Sequence, residues 1–546
     1  MSRFEVRRRD GLARTGVYTT GEVTIATPAI IDPLTVFPDL ANRPHSHIPL
    51  QADEGWIAAY GKKPAGQPYP VYPASPGGIG SGDAVIMPCW HTALTHPRQY
   101  ADWIQRFIMA LPPDAARYAP ASALPSHAAV LVYCGFDIFD TIAVDLRSAQ
   151  GLFCIPTGIY PGSMMHEEVC SCRGCRSEDL REHNRQVLSQ EVRLAAAALG
   201  RGELRELVES RCRSDAALVA ILRHLDAKSA FMEVSAPIAR KSAFRAYTAE
   251  SLNRPEIARF ADRVINRFSP DRSDVCVLLP CSARKPYSLS QSHRKFREAV
   301  LERAHEVIVT SPLGIVPREC ERIYPAAHYD VPVTGHWDRE EVHILSGYLA
   351  SYFRAHPYDR VIAHLEGGAL DVARTAALDA GIMLEETCSD GRPTSQQSLA
   401  QLREALTGEK RQAPDTIRGT LQWQFGKTID TKKMIRKGRL PEQKVFLGRR
   451  QLFSADPDSG LFRPTFDGWD LLPDCYHVYI DTFIPHGDVL APGVLAADQD
   501  VREGDEVLVI GDGLRATGRA MMSADEMVRS SRGVAVRLRK VKRDEP

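Results

Sequence analysis

Short apolar runs alternate with helical stretches along the first 260 residues. Residues 22–29, 84–87, 128–133 and 151–155 have the short apolar runs of strands, and residues 97–110 have the apolar spacing of a helix. Because strand-like and helix-like segments follow one another in turn, the pattern predicts β/α units and a parallel sheet or barrel in this part of the chain.

A second α/β unit begins near residue 274. Before it, residues 180–225 are rich in Ala, Leu, Arg and Glu with apolar residues at helical spacing, so we expect helices there. The second unit itself is predicted to contain a strand at 275–279, a loop at 280–290, a helix at 293–304 and strands at 307–310 and 361–365.

The chain is too long for one compact core, and several domains are expected. Residues 392–470 are polar and mixed, with a basic segment at 427–437, and from residue 476 short strands alternate with Gly-containing turns. The predicted fold is a multidomain α/β protein with a small C-terminal β-barrel. Its predicted domains are residues 1–260 (β/α units with a cysteine cluster), 261–390 (α/β), 391–472 (mixed α/β) and 473–546 (β).

The composition adds a constraint on partners. Hydrophobic residues make up 44% of the chain, charged residues 25%, and the net charge is zero, so no global field attracts nucleic acid. An RNA-binding surface must therefore be a local basic patch, and residues 532–543 in the C-terminal domain are one; the alternative interpretation is a plain solvated barrel. No long apolar run and no secretory signal occurs, so we expect a cytoplasmic protein without a membrane span.

One group of cysteines is clustered. Cys170, Cys172 and Cys175 lie within six residues, and His183 follows on a predicted helix, which together supply the four ligands of a structural zinc site. The alternative is a polar loop with unliganded thiols, and His166 competes with His183 as the fourth ligand. The spacing does not match the Cys-x3-Cys-x2-Cys pattern of a radical-SAM iron–sulfur site, so radical chemistry would belong to a partner.

The segment from residue 280 to 293 concentrates reactive side chains between a predicted strand and helix, where open α/β sheets place their ligand sites. A thiolate is the natural nucleophile for an electrophilic carbon, and the helix N-terminus with the nearby Arg284 and Lys285 would favour the thiolate of Cys281. The alternative is a tight turn in which Cys281 is merely buried and Ser290 caps the helix. The candidate catalytic residues are Cys281, Lys285, Tyr287, Ser290 and His293.

This segment matches the pattern P-C-x3-K-P-Y-x2-S-x2-H and resembles the archaeosine synthase family. The stretches 310–319 and 324–337 also look like that family, and the C-terminal domain resembles the RNA-binding PUA domain. The cysteine cluster followed by His183-Asn184 is similar to the zinc site of tRNA-guanine transglycosylases, which implies a degenerate TIM-barrel-like N-terminal domain. The resemblance covers nearly the whole chain.

The N-terminal domain departs from the transglycosylases at their active site. Residues 135–140, Gly-Phe-Asp-Ile-Phe-Asp, resemble the transglycosylase nucleophile segment, so Asp137 and Asp140 are candidate substrate-binding residues together with Arg284. The Ser-Gly-Gly-Phe-Gln loop of those enzymes is absent, and so is the Pro-Thr-Arg that follows their aspartate. We therefore expect a retained tRNA-binding scaffold rather than a base-exchanging site.

The family resemblance implies conversion of the nitrile of 7-cyano-7-deazaguanine, in the D-loop of archaeal tRNA, towards the amidine of archaeosine. It implies an amine donor, lysine in many members, with glutamine or ammonia as alternatives, and a radical-SAM partner that cleaves the lysine adduct. In the hypothesis for the reaction, Cys281 adds to the nitrile, Lys285 or His293 handles protons, and Tyr287 and Ser290 orient the base or polarise its nitrile.

Three alternatives stay open at this point. The amine could attack the nitrile directly, with Cys281 only structural. The chain could be a transglycosylase that inserts the deazaguanine base, or a non-catalytic subunit that binds tRNA for another enzyme. The oligomeric state is also open, a homodimer included.

Overall fold

The computed structural model separates into two compact units. The first comprises Met1–Pro237, Val478–Asp505 and Val509–Pro546, and the second comprises Ile238–His477 and Glu506–Leu508. The structure describes residues 2–38, 71–72, 79–80, 82–87, 96–164, 169–332, 335–439 and 441–543.

The N-terminal part of the first unit is a mixture of short strands and helices. Its strands are β1 (Arg3–Asp10), β2 (Ala13–Thr20), β3 (Val23–Thr27), β4 (Ala29–Ile30), β5 (Val71–Tyr72), β6 (Ala84–Ile86), β7 (Ala116–Tyr118), β8 (Ile138–Phe139), β9 (Leu152–Ile155) and β10 (Gly158–Pro161). Its helices are α1 (Pro33–Val36), α2 (Pro97–Ala110), α3 (Ala128–Tyr133), α4 (Ile142–Ala149), α5 (Arg173–Arg176), α6 (Leu180–Arg201), α7 (Leu204–Arg211), α8 (Ala216–Asp226) and α9 (Ser229–Ser235).

Strands β4 to β8 form a five-stranded sheet in the order β4-β8-β7-β6-β5. The pairs β4–β8, β8–β7 and β7–β6 are parallel and β6–β5 is antiparallel, as expected for β/α units. The TIM-barrel-like closure expected for this domain is not confirmed, because the described strands pair in an order that ends at β4 and β5. A separate antiparallel sheet, β1-β2-β3, precedes it.

Residues 128–133 were expected to form a strand and instead form helix α3. Every residue of α3 is buried, from Ala128 to Tyr133, so the helix is apolar on all sides. A short run that is apolar all round has no periodicity to separate a buried helix from a buried strand, which explains the wrong prediction. The helix expected at residues 97–110 is confirmed as α2, and those at 180–225 are confirmed as α6, α7 and α8.

A buried charged cluster holds α7 and α8 together with α3. The guanidinium of Arg205, 2% exposed, donates to both carboxylate oxygens of Asp226 at 2.7 Å, to Glu209 at 2.8 Å and to the hydroxyl of Tyr133 at 2.8 Å. Because the cation is bound on several sides, its burial is tolerated inside an otherwise apolar core.

The second unit is a three-layer α/β structure followed by a small antiparallel sheet. Its strands are β11 (Phe244–Arg245), β12 (Val275–Pro280), β13 (His305–Thr310), β14 (Gly314–Pro317), β15 (Tyr329–Asp330), β16 (Arg360–Ala363), β17 (Leu384–Glu386), β18 (Met434–Lys437), β19 (Lys444–Leu447), β20 (Arg450–Ala455) and β21 (Phe462–Pro464). Its helices are α10 (Pro255–Asn266), α11 (Gln291–Val300), α12 (Arg339–Ala355), α13 (Gly367–Ala380), α14 (Gln396–Ala405), α15 (Thr416–Phe425) and α16 (Phe466–Trp469).

Strand β12 is the centre of the main sheet, whose order is β14-β13-β12-β16-β17. Cys276 and Leu278 pack into one apolar core and Val275, Val277 and Leu279 into another, so both faces of the strand are buried. A parallel strand covered on both faces has a continuous apolar sequence, which is the pattern seen in residues 275–279. The predicted strands are confirmed as β12, β13 and β16, and the helix predicted at 293–304 is present as α11, which ends four residues earlier, at Val300.

The connections of this sheet create a switch point beside β12. The chain leaves β12, passes through α11 and adds β13 in parallel on one side, whereas β16 later adds in parallel on the other side. The crevice at the carboxyl ends of β12 and β16 is therefore where an open α/β sheet binds its ligand.

Residues 391–472, expected to be mixed α/β, contain helices α14 to α16 and the antiparallel sheet β18-β19-β20-β21. The C-terminal strands are β22 (His477–Ile480), β23 (Val489–Leu490), β24 (Val494–Ala497), β25 (Glu506–Gly511), β26 (Leu514–Ala520) and β27 (Val534–Arg543), with helix α17 (Ala524–Arg529). They form a six-stranded sheet in the order β23-β27-β26-β25-β22-β24, which agrees with the predicted small β domain. Within the part of the chain that the structure describes, no helix is long and apolar enough to cross a bilayer.

The Arg205 cluster predicts a large stability difference between two substitutions. Asp226→Ala leaves the buried guanidinium of Arg205 without its main partner, so we expect a loss of about 3 kcal/mol and a lower thermal midpoint. The control is Arg201→Ala, which removes an exposed ion pair with Glu203 and costs at most about 1 kcal/mol. Thermal unfolding followed by circular dichroism measures both, and equal midpoints would contradict this account.

Candidate functional site

A cavity of about 720 Å³ lies in the second unit at the carboxyl ends of β12 and β16. Cys281 lines it directly after β12, and Glu366 lines it three residues after the end of β16, at the N-cap of α13. The cavity is lined by Ala246, Tyr247, Thr248, Ala249, Ser251, Leu252, Pro280, Cys281, Ser311, Pro312, Val331, Pro332, Gly335, His336, Trp337, Asp338, Glu341, Glu366, Gly367, Gly368 and Ala369. The position is the one that the sheet topology predicts for a ligand.

The loop that carries the sequence motif is held by local hydrogen bonds. Its end is a single 3-10 turn, Tyr287–Leu289, followed by Ser290 at the N-cap of α11. The hydroxyl of Ser290 accepts a hydrogen bond from the backbone N–H of His293 at 3.2 Å. Ser290 therefore caps the helix, which is the structural role that the sequence left open for it.

Opposing effects act on the pKa of the Cys281 thiol. Burial raises the pKa of the Cys281 thiol, while a hydrogen bond from Thr310 and the positive charge of Lys285 lower it, and burial is the larger effect. The sequence predicted that nearby cations would favour the thiolate of Cys281. Lys285 does favour the thiolate, but the pKa of Cys281 stays above its usual value because burial has the larger effect. Arg284 is exposed and does not line the cavity.

Lys285 lies beside the same thiol. Burial lowers the pKa of the Lys285 ammonium, against the opposing pull of Cys281 and Asp330. Its Nζ atom is 3.8 Å from the ring centroid of Tyr329, a cation–π contact that fixes the amine over the ring. Burial thus moves the pKa of the thiol and the pKa of the amine toward each other, which favours proton exchange between the two groups.

A chain of hydroxyl groups lies behind the thiol. The hydroxyl of Tyr287 is 2.6 Å from that of Tyr329, which is 2.5 Å from the hydroxyl of Thr310. Tyr287 is completely buried, and burial raises its pKa well above the usual value. Tyr287 therefore stays protonated, and it does not line the cavity where a substrate would bind.

His293 lies inside the protein, 1% exposed. Its Nδ1 accepts a hydrogen bond from the guanidinium of Arg318 at 2.9 Å, and burial together with that cation lowers the pKa of His293 to about 3. Arg318 also donates to Glu306 and Glu321, and Glu321 accepts from the backbone N–H of Ser288 at 2.9 Å. The neutral imidazole thus connects α11 to the motif loop, an arrangement suited to positioning rather than to proton transfer at neutral pH.

The cavity also contains acidic side chains that the sequence did not single out. Burial raises the pKa of Glu341, which hydrogen-bonds Ser311, and burial raises the pKa of Glu366. A Cβ atom on Gly368 would lie 2.7 Å from the ring of Trp337, so only glycine lets the indole pack against the start of α13. The adjacent glycines after the apolar strand at 361–365 were the available signal for this second wall.

The cysteine cluster forms a compact donor set in the first unit. The ligand atoms of Cys170, Cys172, Cys175 and His183 lie within 4.8 Å of one another, and Nδ1 of His183 is 3.2 Å from the sulfur of Cys172 and 3.3 Å from that of Cys175. Three sulfurs and one imidazole nitrogen at these distances could hold a metal ion. His166, the competing ligand, lies outside the described residues.

The imidazole of His183 is oriented by its surroundings. Its Nε2 is 3.1 Å from the carbonyl oxygen of Cys154, which leaves Nδ1 free to face the thiols, and its ring stacks on Phe153 at 4.1 Å. A Cβ atom on Gly174 would lie 2.2 Å from the backbone of His183, so glycine is required where α5 meets α6. These contacts favour His183 as the fourth donor.

The two aspartates of residues 135–140 lie in internal hydrogen-bond networks. Asp137 is fully buried and accepts from the side chain of Arg14 at 2.5 Å and from the backbone N–H of Arg117 at 2.8 Å. Asp140 is also fully buried and accepts from the hydroxyl of Tyr118 at 2.7 Å and from two backbone N–H groups. Neither carboxylate is exposed to a base, so the substrate-binding role expected for both is not supported by this geometry.

The final strand, β27, carries the basic residues of the C-terminal domain. Its last seven residues are exposed or half-buried, and Arg and Lys occupy five of those positions. The exposed cations are Arg537, Arg539, Lys540, Lys542 and Arg543. A strand with exposed cations of this kind suits the phosphates of a nucleic acid, although Arg537 also lies 3.9 Å from Asp488.

The chain is similar to known proteins over most of its length. A domain of unknown function (DUF5591) matches residues 257–406, and the PUA domain matches residues 482–542. The archaeosine synthase subunit alpha of Methanosarcina acetivorans is 38% identical over 86% of this chain and 81% of its own length. A tRNA-guanine(15) transglycosylase of Methanobrevibacter smithii is 26% identical over 82% of this chain and 69% of its own.

The match to the archaeosine synthase of Haloferax volcanii covers almost the whole length of both proteins. It is 34% identical over 98% of this chain and 99% of its own length. Identity at that level across nearly every residue of both proteins, with the PUA domain at the C-terminus, leaves no large segment unmatched. The chain belongs to the archaeosine synthase family.

Proposed function

We propose that this protein makes archaeosine in tRNA by adding an amine to the nitrile of 7-cyano-7-deazaguanine. One observation carries the proposal: the thiol of Cys281 lines the cavity at the sheet's switch point, and the amine of Lys285 lies close enough to that thiol to interact with it electrostatically. A nitrile carbon is an electrophile that a thiolate attacks, and the cavity is large enough for a base and a small donor molecule.

In the proposed first step, the sulfur of Cys281 forms a bond to the nitrile carbon. The thiol proton resides on Lys285 when the sulfur attacks, so the ammonium stabilises the neighbouring thiolate and then gives the proton to the nitrile nitrogen, which yields a thioimidate. The donor amine then bonds to the same carbon, the carbon–sulfur bond breaks, and the thiol recovers its proton from the amine. Nothing is oxidised or reduced, so the nitrile becomes an amidine by addition and substitution alone.

The other motif residues are assigned positioning roles. Tyr287 holds the thiol through the hydroxyls of Tyr329 and Thr310, whereas Ser290 and His293 fix the start of α11. Because none of the three lines the cavity, their proposed effect is on the geometry and pKa of Cys281 rather than on the base itself.

Glu341 and Glu366 are proposed to bind the amine donor. Two carboxylates in one cavity suit a donor with two amino groups, of which one is held as an ammonium and the other loses its proton before it attacks. Lysine has that chemistry, and glutamine and ammonia are the alternatives. A lysine adduct needs a separate carbon–nitrogen cleavage, which we assign to a radical-SAM partner because the sequence contains no Cys-x3-Cys-x2-Cys pattern.

The metal proposed for the donor set of Cys170, Cys172, Cys175 and His183 is zinc. Three thiolates and one imidazole form a closed tetrahedral site for Zn²⁺, which leaves no position for a substrate. We therefore assign it a structural role in the first unit, where it would join α5 to α6, and assign the PUA domain to tRNA binding.

Base exchange of the transglycosylase type is the weaker candidate. The similarity to tRNA-guanine(15) transglycosylases favours it, but both aspartates of residues 135–140 are buried in internal hydrogen bonds. Incubating guanine-containing tRNA with labelled guanine tests it directly, and incorporation of label would overturn our preference.

Removing the thiol tests the covalent route. For Cys281→Ala we expect turnover to fall by about a thousandfold or more, because the nucleophile is lost, while tRNA binding persists. Nucleoside mass spectrometry of nitrile-containing tRNA, incubated with lysine, glutamine or ammonia in turn, measures the reaction and identifies the donor. Ser282→Ala is the neighbouring control and should keep its activity, because it leaves the thiol in place. An active Cys281→Ala protein would contradict the thioimidate mechanism.

The charge on Lys285 predicts a shift of the pH profile. The reactive thiolate increases as pH rises through the raised pKa of Cys281, and Lys285 holds that pKa down. Lys285→Met removes the charge, so the ascending limb of kcat/KM should move to higher pH, whereas Lys285→Arg should keep it closer to the wild-type position. A limb that stays in place in Lys285→Met would show that the two groups do not interact.

Loss of one cluster ligand tests the metal site. Cys175→Ser should lower the zinc content from about one equivalent per chain and reduce the thermal midpoint of the first unit, since metal binding contributes folding free energy. Cys388→Ser removes a thiol outside the cluster and should change neither value. Elemental analysis of the purified proteins measures zinc, and full zinc content in Cys175→Ser would contradict the assigned ligand set.

A further inference from the structure

The antiparallel sheet β18–β21 is more basic than the rest of the chain. Residues 427–463 contain ten Lys and Arg against four Asp and Glu, although the whole chain has 68 of each kind. This segment lies between residues 257–406 and 482–542, the two parts that match known domain models. Its charge therefore belongs neither to the cavity at Cys281 nor to the PUA domain.

The strand register places cationic residues in one row across the sheet. Lys437 pairs with Lys444, Lys444 with Ser454, and Ser454 with Arg463. Residues directly opposite each other in a sheet lie on the same face, and the row spans about 14 Å because neighbouring strands are about 4.8 Å apart. Phe453 alternates with Ser454 along β20 and is fully buried, so the row lies on the outer face.

The outer face also contains apolar groups between the charges. Ile435 is 56% exposed, and the ring of half-buried Phe446 lies opposite it in the register. The Nζ atom of Lys437 is 5.2 Å from the centroid of that ring. Cations beside an accessible aromatic ring are typical of surfaces that bind nucleic-acid strands.

The pairing of Lys437 with Lys444 has an energetic consequence. Like charges directly opposite each other on neighbouring strands destabilise a sheet, and an anion bound between them removes that cost. Arg463 differs, because it forms an ion pair with Asp456. An external anion should therefore gain more binding free energy from Lys437 and Lys444 than from Arg463.

We propose that the outer face of β18–β21 is a second RNA-binding surface, which contacts the sugar–phosphate backbone of the substrate tRNA. The row is about 14 Å long, with Lys437 and Lys444 at one end and Arg463 at the other, so it can contact more than one phosphate of the continuous line that RNA offers. The proposal rests on the proposed function only in taking tRNA as the substrate. It assigns RNA contact to a segment outside the PUA domain.

The test compares two double substitutions that remove the same charge. In Lys437→Gln/Lys444→Gln we expect the Kd for tRNA to rise about tenfold near 0.1 M salt, and the slope of log K against log salt to fall by about two. Lys410→Gln/Arg411→Gln, in the exposed loop after α14, should keep the wild-type Kd and slope. Thermal unfolding of the first variant should show an unchanged or higher midpoint, which excludes misfolding as the cause.

Several results would contradict the proposal that the outer face of β18–β21 binds RNA. A wild-type Kd in Lys437→Gln/Lys444→Gln would do so, and so would equal weakening by both double variants. If Lys437→Gln/Lys444→Gln lost binding to phosphatidylserine vesicles but kept its binding to tRNA, the outer face of β18–β21 would be assigned to a membrane instead. The proposed function fails separately if the wild-type protein binds tRNA but leaves its nitrile unchanged, in which case the binding comparison still decides the RNA surface.

Discussion

The burial of β12 on both faces is the constraint on which the candidate site depends. Because Cys276 and Leu278 are fixed in one core and Val277 and Leu279 in the other, the end of the strand cannot move relative to the helices around it. The chain leaves the sheet at Pro280, and the next side chain is the thiol. Residues after the parallel strands on either side, Ser311 after β13 and Glu366 after β16, provide two further walls, so the loop residue Cys281 is positioned by the core.

Burial also sets the chemistry of the site, and it acts in opposite directions on its two reactive groups. It raises the pKa of the Cys281 thiol and lowers the pKa of the Lys285 ammonium, so each becomes easier to find in its neutral form. Their mutual attraction opposes both shifts. The free-energy cost of moving a proton between two groups falls as their pKa values approach each other. Proton transfer between the thiol and the amine is therefore easier here than between the same groups in water.

The sequence predicted the position of the site better than the role of each residue. An apolar strand, a loop and a helix with a serine cap were predictable because each depends on local pattern, and the match at residues 280–293 located the thiol. The proton-transfer role predicted for His293 did not take account of its burial against Arg318, which depends on β13 and on the turn that follows β14, far away in sequence. Glu341 and Glu366 were missed for the same reason, since only the folded sheet brings them to Cys281. Helix α3 was misassigned because six buried apolar residues carry no period.

Zero net charge has a consequence for how the chain can hold a polyanion. A protein with an overall positive charge attracts RNA from every side, whereas a balanced one attracts it only where cations are concentrated by the fold. Strand β27 and the outer face of β18–β21 are two such places, where the local sequence is rich in Lys and Arg and the strand register sets the spacing of the cations. The opposition of Lys437 and Lys444 costs stability in the free protein, and that cost is recovered only when an anion is bound. A surface built in this way favours the bound state over the free one, and discriminates against ligands that lack closely spaced negative charges.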